Sequence, residues 1–337
     1  MEGCIMMEDR ELSLSEKLLI NVLQEYGIQQ PEITFLRHNE NKTFKVIDQI
    51  NNKYLLKVHQ PATENLLGLQ HKKEGLQYEM QLLYNISQKS DITVPVPVCN
   101  QQGDFITEIT LTDKVINCTL TKWIDGRDVQ KEDLSNHEFV YGLGNSTAKL
   151  HRYFYSYYEV PHHVRPEYGK SKIRIMLEQI YGGVEKRLFS QKDFNIVEQS
   201  LLLIASRFES LDRRTSWGII HGDLNMSNIL ITGQKGCAFI DFSLFGYGYY
   251  LLDVAMAALN STSEKRSFFL KGYFGNDAIS DETMTLLEGF MLMSIFGYYA
   301  FHMENKKIHP WITERMPLLC ANRCKPFLSG DRIIYDF

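Results

Sequence analysis

Basic blocks and closely spaced cysteine pairs are both missing from this 337-residue sequence. The formal net charge is −5, and without a basic patch we expect no nucleic acid partner. Six cysteines are scattered along the chain without CxxC spacing, and Cys320 and Cys324 lack nearby histidines, so a zinc site is not indicated. Scattered thiols of this kind are typical of a reduced, cytoplasmic protein.

Long apolar runs are missing as well. The most apolar stretch, residues 286–301, contains Glu288, Gly289 and Gly297 and is too short to span a bilayer, so we expect a buried core helix there. The first residues are acidic and have neither a positive region nor an apolar segment, so we expect no signal peptide. Together these absences predict a cytoplasmic protein without a membrane partner.

What the sequence does contain is a polar loop between two apolar runs, with His221, Gly222 and Asp223 followed five residues later by Asn228. An Asp at the tip of such a loop can accept the proton of an attacking hydroxyl, and an Asn at this spacing can turn back to a divalent cation. Asp241 ends the next apolar run, where a buried carboxylate is costly unless it binds a cation.

We therefore predict that Asp223 is the catalytic residue of a phosphoryl-transfer site and that Asn228 and Asp241 are ligands of Mg²⁺. The alternative for the loop alone is a polar turn in which Asp223 and Asn228 cap backbone groups. Asp241 favours the metal site, because it adds a second oxygen ligand at the spacing that kinases use.

The first 120 or so residues change from one short helix to a period of two, in the order β-β-β-α-β-β. Lys57 stands in the apolar third strand, as the phosphate-binding lysine of kinases does, although alone it also fits a lysine that snorkels to solvent. Such a lysine needs a carboxylate. On the following helix Glu79 shares the face of Met80 and Leu83, and we prefer it to Glu74.

The turn between the first two strands lacks the glycines that protein kinases place over the phosphates. It runs from Arg37 through Asn39 and Glu40 to Thr43, so backbone amides together with the side chains of Asn41 and Thr43 are expected to meet the phosphates. The rest of the chain is mainly helical, with helices predicted at residues 139–151, 173–188, 194–211, 249–259, 281–302 and 311–324.

In this combination the residues resemble the aminoglycoside phosphotransferase and choline kinase family, small-molecule kinases with a protein-kinase-like fold. The resemblance covers about residues 33–260. One departure is Ser243, where relatives often have Gly or an acidic residue. The matching features are residues 41–46, Lys57, Glu79, residues 120–126, residues 143–151, residues 221–230, and Asp241 with Asp253.

The resemblance implies an α+β, bilobal fold with an antiparallel-sheet N-lobe in residues 1–124 and a larger, mainly helical C-lobe in residues 125–337. It implies that ATP or GTP binds with Mg²⁺ in the cleft between the lobes and that the γ-phosphate passes to a hydroxyl. It further implies that Asp253 braces the catalytic loop. The purine would meet backbone groups of Lys122, Trp123 and Ile124.

A small acceptor is expected, because only eleven residues separate Asp241 from Asp253 and no Ala-Pro-Glu follows, which leaves no long segment to dock a peptide. The C-lobe is close to charge balance, so composition does not favour a polycationic aminoglycoside. Acidic clusters at Asp281 and Glu282, or at Asp331, Asp336 and the terminal carboxylate, are either a pocket or solvated surface.

The C-lobe is also rich in aromatic residues, which either stack on a sugar or cage a quaternary amine, or else belong to the core. The acceptor thus stays open among aminoglycosides, sugars and amino alcohols. The competing hypothesis is a catalytically weak, kinase-fold binding or assembly module of the spore-coat type. The glycine-free turn and Ser243 leave room for it, whereas Lys57, Asp223, Asn228 and Asp241 argue against it.

Overall fold

The computed structural model describes residues 16–38, 41–61, 68–111, 113–157, 160–233 and 236–337, so Asn39 and Glu40 of the predicted phosphate turn lie outside the described residues. The chain divides into two compact units, Met1–Gln88 with Pro95–Ile124, and Lys89–Val94 with Asp125–Phe337. The short Lys89–Val94 segment joins the second unit because Asp91 pairs with Lys149 at 2.7 Å and Thr93 bridges Ala238.

The first unit is an antiparallel five-stranded sheet of order β1-β2-β3-β5-β4, as the β-β-β-α-β-β pattern predicts. One face of the sheet packs on the first helix, where Val46, Leu56 and Leu120 are fully buried with Val22 and Leu23. Each such side chain contributes about 1.5–3 kcal/mol by leaving water. The elements are α1 (Glu16–Glu25), β1 (Glu32–His38), β2 (Lys42–Ile47), β3 (Lys53–Val58), α2 (Lys73–Lys89), β4 (Ile106–Leu111) and β5 (Lys114–Lys122).

The second unit is mainly helical and contains two small three-stranded sheets of order β10-β9-β6 and β7-β11-β8. Its helices are α3 (His137–Tyr155), α4 (Lys170–Glu185), α5 (Gln191–Arg207), α6 (Arg213–Ser216), α7 (Tyr250–Asn260), α8 (Arg266–Phe274), α9 (Asp281–His302), α10 (His309–Leu319) and α11 (Lys325–Ser329). Its strands are β6 (Arg127–Asp128), β7 (Glu167–Tyr168), β8 (Trp217–Ile220), β9 (Ile229–Thr232), β10 (Gly236–Phe239) and β11 (Gly246–Tyr249).

Helix α8 was not predicted, and its packing explains why. A Cβ on Gly144 of α3 would lie 2.1 Å from the carbonyl oxygen of Phe269, and one on Gly272 would lie 2.1 Å from that of Tyr141. The two backbones therefore touch, which requires glycines that weaken the helical signal. The helix predicted at residues 311–324 is also interrupted, because α10 ends at Leu319 and a π-helical turn, Cys320–Cys324, follows.

Helix α9 contains the most apolar stretch and is a core helix, as expected, with Leu287, Phe290 and Leu292 fully buried. Among the described residues it is the one helix whose length and composition would suffice to cross a membrane, and 61% of its most apolar window is buried inside the fold. This burial explains its composition, because packing within a protein selects the same side chains as a bilayer does.

Candidate active site

The loop between β8 and β9 turns sharply at Gly222, whose φ is +77°. A Cβ at this position would lie 2.5 Å from the carbonyl oxygen of Leu244 and 2.8 Å from the hydroxyl of Tyr168. Only glycine satisfies both the left-handed backbone and the close approach. The loop is thereby pressed against the segment that follows Asp241.

The carboxylate of Asp223 is held by two amide side chains. Asn225 Nδ2 donates to Asp223 Oδ1 at 2.7 Å, and Asn228 Nδ2 donates to Asp223 Oδ2 at 2.7 Å. A carboxylate oxygen can accept more than one hydrogen bond. Asp223 is thus fixed in orientation yet able to accept from a substrate hydroxyl. Asn225 was missed by the sequence reasoning, although an Asn two residues after an Asp is a common turn partner.

The two predicted metal ligands lie on neighbouring segments, because the backbone N–H of Ile240 donates to the Asn228 carbonyl at 2.9 Å. The Asn228 amide nitrogen also donates to the Asp223 carbonyl at 2.9 Å, so it is the side-chain oxygen of Asn228 that remains for a cation. Asp241 lies two residues after the end of β10 and adopts left-handed dihedrals, φ 61° and ψ 67°.

This donor set fits Mg²⁺. One amide oxygen and one carboxylate are hard ligands, and Mg²⁺ is usually held by one or two carboxylates, with phosphates and waters completing its shell. Within the described ranges no group of three or more His, Cys, Asp or Glu side chains could hold a metal ion alone. The residues therefore suit a cation that arrives with a nucleotide.

His221 is fully buried and its hydrogen bonds define one tautomer. Its Nε2 lies 3.1 Å from the Ile240 carbonyl, which can only accept, and its Nδ1 lies 3.3 Å from the backbone N–H of Asp223, which can only donate. The ring is therefore neutral with the proton on Nε2. Burial lowers the pKa of His221 below its ordinary value, in agreement with this assignment.

This histidine should make stability depend on pH. Because the folded pKa of His221 lies below the unfolded value of about 6.5, the unfolded chain binds the proton first as the pH falls. The contribution of His221 to the free energy of unfolding is therefore complete above the unfolded pKa. It is lost on acidification, at up to about 1.4 kcal/mol per pH unit. We expect the free energy of unfolding in urea to fall less steeply between pH 7 and 5 in His221→Gln than in the wild type.

Two other histidines, His38 and His302, also have pKa values lowered by burial and contribute to the slope that remains. His137→Gln makes the same chemical change at an exposed position and is the matched control for the substitution itself. Equal slopes in the wild type and His221→Gln would contradict the neutral assignment.

Asp253 braces the loop, as expected. This buried carboxylate accepts the backbone N–H of His221 at 2.7 Å and that of Gly222 at 2.9 Å. His151 Nε2 lies 3.1 Å from Asp253, and His151 Nδ1 lies 2.7 Å from the hydroxyl of Tyr273. The supports from α3 and α8 were missed, because they join positions more than a hundred residues apart.

The first unit presents a polar sheet face opposite the α1 core. Register places Thr43, Lys57 and Thr119 side by side on β2, β3 and β5, so two of the predicted residues face each other directly. The next row holds Lys45, Leu55 and Thr121. Lys45, which was not predicted, carries its ammonium 5.0 Å from the ring centroid of Trp123.

Burial distinguishes the two candidate carboxylates on α2. Glu79 is 1% exposed, whereas Glu74 is exposed to solvent. A buried carboxylate requires a cation or strong donors, which supports the preference for Glu79. Asn41 is 7% exposed, and its side-chain oxygen has no hydrogen-bond partner among the described residues. A polar group buried in this way is a suitable contact for a ligand.

Backbone hydrogen bonds limit which groups of residues 122–124 can contact a purine. The N–H of Lys122 donates to Val96 at 2.8 Å, and the N–H of Trp123 donates to Lys53 at 3.0 Å. These two residues can therefore offer a purine only their carbonyl oxygens. Ile124 supplies the remaining backbone N–H of the three.

Among the described residues, part of the acidic and aromatic set proposed for the acceptor lies at the surface and part lies in the core. Asp281 is fully exposed and pairs with Arg332 at 3.0 Å. Of the aromatic residues considered for stacking on a substrate, Tyr155, Tyr298 and Trp311 are exposed. Those that belong to the buried core are Phe154, Tyr157, Phe245, Tyr247, Tyr249, Tyr250 and Tyr299.

Known proteins of similar fold are small-molecule kinases. A microcompartment-associated aminopropanol kinase superposes with a TM-score of 0.75 at 19% identity, covering 94% of this chain and 98% of that one. Amicoumacin kinase hAmiN, in complex with AMP-PNP, Ca²⁺ and Ami, gives 0.71 at 19% identity, with 95% of each chain covered. A choline kinase from Cryptosporidium parvum Iowa II gives 0.68 at 12% identity, with 94% and 97% covered.

These likenesses, at low identity, establish the bilobal protein-kinase-like fold class of mixed α and β structure. No curated protein sequence matches the chain. The sequence profile of the phosphotransferase enzyme family, by contrast, matches residues 32–287, well over half of the chain. Because this match includes Asp223, Asn228 and Asp241 and spans most of the sequence, the chain belongs to the phosphotransferase enzyme family.

Proposed function

We propose that this phosphotransferase transfers the γ-phosphate of ATP or GTP to the hydroxyl of a small amino alcohol. The observation that carries the proposal is the Asp223 carboxylate, which the Asn225 and Asn228 side-chain amides hold in one orientation, each at 2.7 Å. In the transfer, the acceptor oxygen bonds to the γ-phosphorus and the bond to the β-phosphate oxygen breaks. The acceptor proton goes to Asp223 and the nucleoside diphosphate leaves.

The metal ligands in this proposal are Asn228 and Asp241. When bound, Mg²⁺ neutralises charge on the phosphates. The Asn228 amide donates to the Asp223 carboxylate at 2.7 Å and to the Asp223 carbonyl at 2.9 Å. It therefore fixes the position of the metal ligand relative to the base. This arrangement supports the assignment, because it places the proposed base beside a proposed metal ligand, and the hydrogen bond to the Asp223 backbone carbonyl does not depend on the carboxylate.

In this proposal the residues of the first unit bind the nucleotide. Lys57, held by Glu79, binds the phosphates, and Asn41 and Thr43 meet them from the glycine-free turn. The purine is assigned to Ile124 N–H and to the carbonyls of Lys122 and Trp123. Support comes from three observations: the facing Thr43 and Lys57, the buried Glu79, and the hydrogen-bond pattern of residues 122–123.

The acceptor class is inferred from charge and from relatives. The second unit is close to neutral, and Asp281 is already paired with Arg332, so a polycation finds little negative charge there. Relatives of the same fold include an aminopropanol kinase and a choline kinase. A small alcohol with a single amino group fits both facts better than an aminoglycoside or a neutral sugar does. The proposal places the enzyme in the cytoplasm, without nucleic acid or membrane partners.

A phosphate-transfer screen tests this function. The enzyme is incubated with Mg²⁺ and either ATP or GTP, and with amino alcohols, sugars or aminoglycosides as acceptors. We expect transfer to amino alcohols at the highest kcat/KM. Nucleotide binding without transfer to any acceptor would favour a binding module. Labelling of a generic protein without turnover of a small molecule would contradict the proposed acceptor class.

A further inference from the structure

The turn after Asp241 is short and strained at its start. Asp241 is a non-glycine residue at φ 61°, a left-handed conformation that costs about 1 kcal/mol. A 3₁₀ turn, Phe242–Leu244, follows at once, closed by the N–H of Phe245 on the Phe242 carbonyl at 3.0 Å. Such a conformation persists only where the surroundings hold it.

The surroundings are supplied by the segment 165–168. Arg165 is 1% exposed, and its Nε donates to the Phe245 carbonyl at 2.8 Å. Its Nη2 donates to the carbonyls of Phe242, at 3.2 Å, and of Ser243. Its Cζ lies 3.8 Å from the centroid of the Phe245 ring, so the guanidinium also stacks on an aromatic face.

Tyr168 completes the set, because its hydroxyl donates to the carbonyl of Leu244. Four consecutive carbonyls, from Phe242 to Phe245, are thus bound by two side chains of one segment. The backbone reinforces this, since β7 pairs in parallel with β11 and the N–H of Tyr247 donates to Pro166 at 2.9 Å. The turn is therefore clamped over its whole length.

We propose that Arg165 is a positioning residue for Asp241, which it holds in the orientation that binds the nucleotide-associated divalent cation. This rests on the proposed function of Asp241. A guanidinium is suited to the task because its rigid fork of five donors can serve three carbonyls together, whereas an ammonium cannot match that geometry. At Ser243 the clamp binds the backbone carbonyl, a group that every residue type supplies.

If Arg165 had only a structural role, its replacement would lower stability without changing metal binding. A structural role and a positioning role can therefore be distinguished by experiment. Nucleotide affinity is measured by calorimetry on the full chain with excess Mg²⁺ and with EDTA. The ratio of nucleotide affinity in Mg²⁺ to nucleotide affinity in EDTA is compared among the wild type, Arg165→Lys, Arg165→Met and Asp241→Asn. Arg214→Met is the matched control, because the Arg214 side chain is 94% exposed.

We expect unchanged affinity in EDTA for both Arg165 variants and a Mg²⁺-induced strengthening reduced about 10- to 100-fold. Asp241→Asn should abolish the strengthening, and Arg214→Met should retain it. If Arg165→Met does not fold, Tyr168→Phe removes one donor to Leu244 and should show a smaller loss of the same kind. If folded Arg165 variants show the same Mg²⁺-induced increase in nucleotide affinity as the wild type, the positioning role is overturned. If the wild type shows no such increase, the proposed metal site itself is overturned.

Discussion

An Asp223→Ala enzyme is expected to lose about 10²- to 10⁴-fold in kcat while it still binds Mg²⁺ and nucleotide, because the residue that accepts the hydroxyl proton is gone and the nucleotide contacts are not. Asp223→Asn should lose nearly as much. Its side chain has one oxygen in place of two, so it cannot accept from both Asn225 and Asn228 as the carboxylate does at 2.7 Å each.

The measurement is steady-state transfer together with nucleotide affinity for each variant. Asp277→Asn is the matched control, since it makes the same chemical change at an exposed position of the second unit. It should keep wild-type kcat. Turnover retained by Asp223→Ala would remove the assigned role, and a parallel loss of nucleotide affinity would indicate a structural role instead.

Replacing Asp253 by alanine should cost about 3–5 kcal/mol of unfolding free energy. The change leaves the backbone N–H groups of His221 and Gly222 without their acceptor in a region where both residues are buried. It also removes one of the two partners of the His151 ring described above. We therefore expect the largest loss of stability among the variants discussed, together with loss of activity.

Urea unfolding of both proteins gives the free-energy difference. Asp277→Ala, at an exposed site, should stay within about 0.5 kcal/mol of the wild type. Should Asp253→Ala not fold at all, Asp253→Asn retains one acceptor and is expected to show an intermediate loss. A difference below about 1 kcal/mol for Asp253→Ala would show that the loop does not depend on this brace.

The sequence suffices to suggest the proposed catalytic and metal-binding residues, but not the residues that hold them in place. Asp223, Asn228 and Asp241 lie within 20 residues of each other, and their spacing is imposed by one hairpin, so local pattern suffices. The antiparallel pairing of β1, β2 and β3 follows in the same way from short turns. Arg165, Tyr168 and Tyr273 act across 76 to 122 positions, and no periodicity connects them to the loop.

Local propensity also fails to predict helices and strands at places where two backbones are in contact. Helix α8 was missed because its contact with α3 selects Gly144 and Gly272 instead of an apolar stripe. Strand β11 was missed for a related reason: its glycines, Gly246 and Gly248, face Pro166 and the side chain of Ile220 at distances too short for a Cβ. In both cases tertiary contact outweighs the intrinsic preference of the residues.

The Lys89–Val94 segment has a consequence for dissecting the protein into fragments. Strand β10 is at the edge of its sheet, and its outer side is occupied by Thr93, whose carbonyl accepts the N–H of Phe239 at 3.1 Å. A recombinant fragment beginning at Asp125 would expose that edge two residues before Asp241 and offer it to other chains as a template for aggregation. The helical unit therefore has no single cleavage point at which it becomes an independent protein.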